Sequence, residues 1–320
     1  MNTVYWTECT DPWRNLAVEE YLLDTITGPT LYLWRNDRTV VIGRHQNAWA
    51  ECSLAELDRI GGKMARRLSG GGAVYHDLRN LNFTFLMPRA MYDRERQTAV
   101  LLRAVRACGI DAAASGRNDL LADGRKFSGH AFCIRERTAY HHGTLLLDTD
   151  VETMTRVLTV DASKLTSHAI ASVRARVVNL RELKASLTLS GMREALTESF
   201  CREYGPAERL NTDALPEEPL EALRQKYASW DWRFGETPAF DAAWKQRFAW
   251  GGAELRLRLR DAHIAEVTVY TDAMDPSFAD AVTERLRGRA YDPQSILEAF
   301  ADGGDVLREL GAWLAGEIES

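Results

Sequence analysis

The sequence predicts an α+β protein in two parts, a large domain of mixed helices and strands followed by a smaller α+β domain. Three observations carry this. Strand-like runs such as Thr30-Leu31-Tyr32-Leu33-Trp34 alternate with segments of helical period such as Gln97 to Cys108. Polar, proline-containing stretches at Asn211 to Pro219 and Asp231 to Pro238 suggest surface connections leading to a boundary near residue 236. The 320 residues exceed the roughly 100 to 200 of a single domain. The division is therefore set at 1–236 and 240–320.

Taken in order, Asp11-Pro12 places a cap residue before a proline and starts a helix with Trp13, Leu16, Ala17 and Tyr21 on one face. Thr30 to Trp34 and Thr39 to Gly43, separated by Asn36-Asp37-Arg38, read as a β-hairpin. The Gln97 to Cys108 helix stops at Gly109, and strand-like alternation returns from Leu120 to Leu147. In the second part, Leu255, Leu257 and Leu259 alternate with charged residues and Val267 and Val269 follow a turn at Asp261-Ala262-His263, which is a half-buried hairpin. Asp275-Pro276 and Asp292-Pro293 each start a further helix.

Composition limits the function. With 45% hydrophobic and 27% charged residues the chain has the makings of a sizeable core. A net charge of -6 argues against nucleic-acid binding, which needs a basic footprint. The N-terminus lacks a basic and apolar leader and no long apolar run appears, so a cytoplasmic protein without membrane contact is expected. The five cysteines are scattered with no C-x-x-C pair, and all are expected to be free.

The segment Arg66 to Asp77, RRLSGGGAVYHD, puts two guanidiniums, a hydroxyl and three glycines together, the composition of an anion cradle. A dinucleotide fingerprint would need glycine where Tyr75 stands, and no Walker Gly-Lys-Ser/Thr exists. A hairpin turn is the plainer alternative for the same glycines. Farther on, Lys126 lies in a glycine-framed strand, where its ammonium can stabilise charge moving between a carboxylate and a phosphate; a solvated strand lysine is the alternative. Asn118 and Asp119 suit a nucleotide, a magnesium ion or simply a turn. His141 and His142 point opposite ways on a strand and cannot easily share a metal.

RRLSGGGAVYHDLRNLNFTF, GRNDL, GRKFSG and HHGTLLL occur in that order, with LWRNDRTVVIGRHQN before them and KLTSHAIASVRARVVNL and WGGAELRLRL after. In this the chain resembles the lipoate-protein ligases of type A over nearly its whole length. The resemblance implies a class II synthetase or biotin-ligase type mixed-sheet catalytic domain with a C-terminal accessory domain. It implies ATP and Mg2+ with lipoate as substrate, lipoyl-AMP as intermediate, and apo lipoyl domains of 2-oxoacid dehydrogenase E2 subunits and the glycine cleavage H protein as acceptors, for a monomeric enzyme. Carried over by motif, Arg67, Gly72, Ala73, Val74, Tyr75, Asn118, Asp119 and Lys126 would contact the nucleotide. Lys126, Trp34, Arg67, Ser69, Gly71, His76 and His142 would contact lipoate, with Asp119 as the metal ligand. Tyr75 stands where phenylalanine is common and Arg79 where glycine is. Two other functions remain open: acyl transfer through a cysteine without ATP, with Cys133 as candidate, and non-catalytic lipoate binding.

Overall fold

The computed structural model describes residues 1–116, 119–158, 167–235, 237, 240–271, 273 and 277–319. Asn118, the start of the Lys164 motif and the Asp275-Pro276 helix start lie outside these residues. In chain order the elements are β1 (Asn2–Trp6), α1 (Pro12–Thr25), β2 (Thr30–Trp34), β3 (Thr39–Ile42), α2 (Ala48–Glu51), α3 (Leu54–Arg59), β4 (Lys63–Arg66), β5 (Val74–His76), β6 (Asn80–Pro88) and α4 (Arg94–Ala107). There follow β7 (Ala113–Ser115), β8 (Asp119–Ala122), β9 (Arg125–Ile134), β10 (Thr138–Leu146), α5 (Val151–Val157), α6 (Ser167–Arg176), α7 (Leu180–Leu183), α8 (Leu189–Tyr204), β11 (Ala207–Asn211) and α9 (Glu217–Ala228). The C-terminal part holds β12 (Phe240–Phe248), β13 (Gly251–Arg260), β14 (His263–Thr271), α10 (Phe278–Leu286), α11 (Pro293–Phe300) and α12 (Asp305–Glu319).

An eight-stranded mixed sheet in the order β11-β1-β2-β6-β10-β9-β8-β7 forms the frame. Strand alternation gives it two different faces. Leu31, Leu33, Phe83, Phe85 and Leu145 turn to one side and make a core with Val100, Leu101 and Ala104 of α4 and with Leu196 and Phe200 of α8. Tyr32, Trp34, Leu86 and Tyr140 turn to the other, under Leu16, Ala17 and Leu23 of α1. Cross-strand registers line up Trp34, Asn82, Thr144 and Gly129 in one row, and Tyr32, Thr84, His142 and Ala131 in the next. His141 and His142 accordingly sit on opposite faces.

The hairpin expected between residues 30 and 43 does not form. All five residues of β2 are buried between β1 and β6, while β3 leaves for a separate three-stranded sheet, β4-β3-β5. Asn36 is fully buried and serves as a hydrogen-bonding residue instead of a turn residue, and Arg38, at φ 37°, redirects the chain. The small sheet carries the glycine run, which joins β4 to β5.

The expected surface connection at Asp231 to Pro238 is also different where it is described. Asp231–Gly235 is a single π-helical turn with Trp232 and Phe234 buried. Beyond it, β12, β13 and β14 form an antiparallel sheet with α10 to α12 against it. Ala253, Leu255, Leu257 and Leu259 face that core, and the residues between them face outward. The β13 to β14 turn has both Asp261 (φ 51°) and Ala262 (φ 58°) in the left-handed region, the geometry of a type I′ hairpin. Ala262 is buried as part of a core cluster whose other buried members, among them Val40, Ile42, Tyr75 and Phe234, all precede residue 236.

Arg66 holds these pieces together. Its side chain is wholly buried and its Nε, Nη1 and Nη2 donate to the carbonyls of Gly43, Arg44, Gln46, Trp232 and Arg233 and to Thr237 Oγ1. Trp232 Nε1 returns a bond to the Arg66 carbonyl at 2.8 Å. Half of the expected anion cradle is thus corrected: Arg66 bolts the inter-domain strap to the small sheet and does not face a ligand. Replacing it leaves several buried carbonyls without donors, at about 1–3 kcal/mol each. Arg66→Met is expected to lower unfolding stability by about 3 kcal/mol or more in urea titrations, and limited proteolysis should cut first in the strap at 231–237.

Candidate active site

A cleft of about 240 Å3 opens on the α1 side of the large sheet, between the glycine loop and β9. Its apolar wall is Leu16, Trp34, Val41 and Val74, and its polar wall is His76, His142 and Thr144. At one side Lys126 and Asp119 contribute an ion pair, Nζ to Oδ1 at 2.8 Å, with each side chain about two-fifths exposed. Lys126 reaches across its own strand because Gly129 has no side chain; a Cβ there would press on Lys126 Cε and Nζ at 3.1 Å.

The glycine loop is braced from beneath by Arg67. This guanidinium, 5% exposed, donates to Ser69 Oγ (3.0 Å), Val41 O (2.9 Å), Gly70 O (2.7 Å) and Gly72 O (2.8 Å). Burial pushes its pKa down to about 10. Gly71 sits at φ +90°, a conformation that side chains resist, and a Cβ would stand 3.1 Å from Arg67 Nη2. Above Gly70 and Gly72 no heavy atom of the described residues lies within 4 Å of the side-chain position.

A second set of bonds runs behind the cleft. Glu19 of α1, 1% exposed, accepts from Thr84 Oγ1 at 2.7 Å and from His142 Nδ1 at 2.8 Å. Trp34 Nε1 donates to Thr84 Oγ1 at 3.1 Å, and His142 Nε2 meets Ser69 Oγ at 2.7 Å. A carboxylate only accepts, so His142 carries a proton on Nδ1, and its Nε2 meets the Ser69 hydroxyl. The buried carboxylate and the buried Arg67 guanidinium are therefore joined by a hydrogen-bond chain through His142 and Ser69.

Of the residues singled out from sequence, Trp34, Arg67, Gly71, Gly72, Ala73, Val74, His76, Asp119, Lys126 and His142 come together around the cleft. Ser69 stands just behind it, bonded to His142. The Tyr75 side chain does not line it but packs with Val40, Ile42 and Met64 on the other side of the small sheet, where burial pushes its phenol up to about 12. Cys133 is likewise outside, packed against the α1 core, and burial raises its thiol pKa. Sequence reasoning missed Glu19, Thr84, Leu16 and Val41. A helical glutamate carries no local sign that it will be buried; only the row of strand residues it covers makes it so.

An apolar wall with an ammonium at its edge is the complement of a carboxylic acid with an apolar chain. Three buried imidazoles, two lining the cleft and His141 on the other face of the sheet, resist protonation because burial disfavours their charge: His76 and His130 are pushed down to about 3, and His141 well below its usual value. In the unfolded chain each would titrate near 6.5, so the stability they leave intact is fully present above that pH and is lost as pH falls toward 3. Urea unfolding at about pH 7.5, about pH 6 and about pH 5 should show little change above about pH 6.5 and, below it, stability falling by up to about 1.4 kcal/mol per pH unit for each ring. His130→Gln should make the slope shallower.

The chain is similar to known proteins over most of its length. The family described as Lipoyl protein ligase A/B catalytic domain matches residues 11–201, and that described as Bacterial lipoate protein ligase C-terminus matches residues 237–309. Among solved structures, LipL1 of P. falciparum, in complex with lipoate, is 27% identical with a TM-score of 0.66, the match covering 99% of this chain and 100% of that one. A bi-partite lipoate protein ligase of Thermoplasma acidophilum, studied with its E2 lipoyl domain, is 26% identical with a TM-score of 0.66 over 74% of this chain and 98% of its own. A lipoate-protein ligase A bound with ATP is 25% identical with a TM-score of 0.63, over 74% of this chain and 100% of its own. Carrying both matched regions, in order and on an α+β fold of the expected kind, the chain belongs to the lipoate-protein ligase family.

Proposed function

We propose that this chain activates free lipoate with ATP and transfers the lipoyl group to a lysine of apo lipoyl domains, those of 2-oxoacid dehydrogenase E2 subunits and the H protein of glycine cleavage. Residues 1–236 would do the chemistry and 240–320 would form the accessory domain. The observation that carries the reading is Lys126, whose ammonium stands at the side of the cleft within reach of its apolar chamber and of the glycine loop. Relatives crystallised with lipoate and with ATP support the same two substrates.

In the first step a lipoate carboxylate oxygen attacks the α-phosphorus of ATP, the bond to pyrophosphate breaks, and an acyl-AMP anhydride remains. Lys126 would sit between carboxylate and α-phosphate and offset the charge that moves between them, while amides of the Gly70 to Val74 loop would hold phosphate oxygens. Trp34, Leu16 and Val41 would bury the acyl chain and keep water from the anhydride. In the second step the acceptor amine attacks the acyl carbon, AMP leaves, and a proton is released.

Among the described residues no group of three or more His, Cys, Asp or Glu is placed to hold a metal. Magnesium keeps waters and phosphate oxygens and needs few protein ligands; in the proposed reaction Asp119 would supply one carboxylate, and the ion would offset charge on the departing pyrophosphate. Acyl transfer through cysteine fits less well, because the Cys133 thiol lies outside the cleft and is raised in pKa.

Lipoate-dependent exchange of labelled pyrophosphate into ATP, followed by acylation of an apo lipoyl domain, tests the reading. Lys126→Ala is expected to slow exchange by about 10²- to 10³-fold, and Cys133→Ser to leave both steps unchanged. Absence of exchange in the unaltered protein would sink the proposal.

A further inference from the structure

A second hydrogen-bond chain ends at the cleft on His76. Tyr32 Oη donates to Asn15 Oδ1 at 3.1 Å, and the two hydrogens of Asn15 Nδ2 are shared among three acceptors, the carbonyls of Cys9 (3.1 Å) and Arg35 (2.8 Å) and Asn36 Oδ1 (3.0 Å). Two backbone carbonyls fix which end of the Asn15 amide is nitrogen. Asn36 must then turn its oxygen toward Asn15 and its nitrogen toward His76 Nδ1, 3.1 Å away. Asn82 Nδ2 faces the same ring nitrogen at 3.4 Å.

An amide nitrogen only donates, so Nδ1 is the unprotonated nitrogen and the single proton of the neutral ring is on Nε2. Every member of the chain is buried, with Tyr32, Asn15 and Asn36 at 0% exposure and His76 at 3%. Nε2 has no partner in the protein among the described residues. A buried donor left unbonded is costly, and this ring lines the cleft edge-on to Trp34, with centroids 5.9 Å apart.

We propose that Asn15 and Asn36 are positioning residues that hold His76 as its Nε2–H tautomer, so that the cleft presents one fixed, neutral donor to an acceptor atom of the bound acid. The proposal rests on the reading of the cleft as a lipoate site. The acceptor is a ring sulfur or an acyl oxygen; octanoate, which has the oxygen and lacks the sulfur, separates the two. Burial that keeps the ring uncharged favours this arrangement, since an imidazolium would carry a proton on Nδ1, where two amide donors already point.

The test uses the full chain labelled with ¹⁵N-histidine. Its long-range nitrogen spectrum at neutral pH is expected to show His76 in the Nε2–H form, and Asn36→Asp, which offers Nδ1 only acceptors, is expected to place a proton on Nδ1. By calorimetry, His76→Leu should weaken lipoate binding roughly three- to tenfold, the worth of one hydrogen bond, with ATP binding unchanged. His76→Gln, which keeps an amide donor near the Nε2 position, should restore most of the loss. Weakening of lipoate alone assigns the sulfur, and weakening of octanoate as well assigns the oxygen; both support the proposal. A wild-type spectrum in the Nδ1–H form overturns it, as does His76→Leu binding lipoate at full strength, and neither outcome depends on whether Asn36→Asp folds. Wild-type protein that shows the expected tautomer and binds no lipoate would refute the function proposed above and leave the roles of Asn15 and Asn36 in setting the tautomer standing.

Discussion

The site is organised around a carboxylate that has no access to water. Glu19 lies beneath α1 at 1% exposure, and an ion in such a place persists only when donors converge on it. Thr84 and His142 do so from adjacent strands, and each is itself placed by another residue of the cleft, Trp34 in one case and Ser69 in the other. Through Ser69 the chain reaches Arg67 and hence the carbonyls of Gly70 and Gly72. The shape of the loop above the cleft is therefore tied to a charge on the opposite wall.

The same sheet supplies this network and the hydrophobic core because strand residues alternate. Phe83 and Phe85 go to one face with Leu31 and Leu33; Asn82 and Thr84 go to the other with Trp34 and Tyr32. A single-residue slip of β6 would exchange them, putting amides into the α4 to α8 core and phenyl rings into the cleft. Polar residues at alternate positions of a fully buried strand are thus the mark of a site and not a flaw in packing.

Much of this could be read from the sequence, and the parts that could not have a common cause. Lys126, the glycine run and His142 are chemically conspicuous, and the structure brings them to one cleft. The β13 to β14 hairpin was legible because one of its faces is exposed, so its sequence alternates. β2 and β3 misled because Asn36-Asp37-Arg38 has turn composition, whereas Asn36 is buried as a link in a hydrogen-bond chain. Arg66 and Arg67 look alike in sequence; one clasps the inter-domain strap and the other braces the loop, because successive positions at the end of β4 face different neighbours. Asn15, Glu19 and Thr84 gave no signal, since their roles exist only once distant strands and a helix are stacked.

Ala262 shows how an apparently poor residue can be the right one. At the tip of a two-residue hairpin with φ 58°, local geometry would choose glycine or asparagine, and alanine gives up about 1 kcal/mol. Yet its methyl group is 2% exposed, seated among residues of a different domain from the sheet that bears it. The turn acts as a peg, and its fitness is measured in the socket. An accessory domain studied in isolation would carry the strain without the contact, so consensus-guided optimisation of that fragment would favour replacements that loosen its seat in the whole protein.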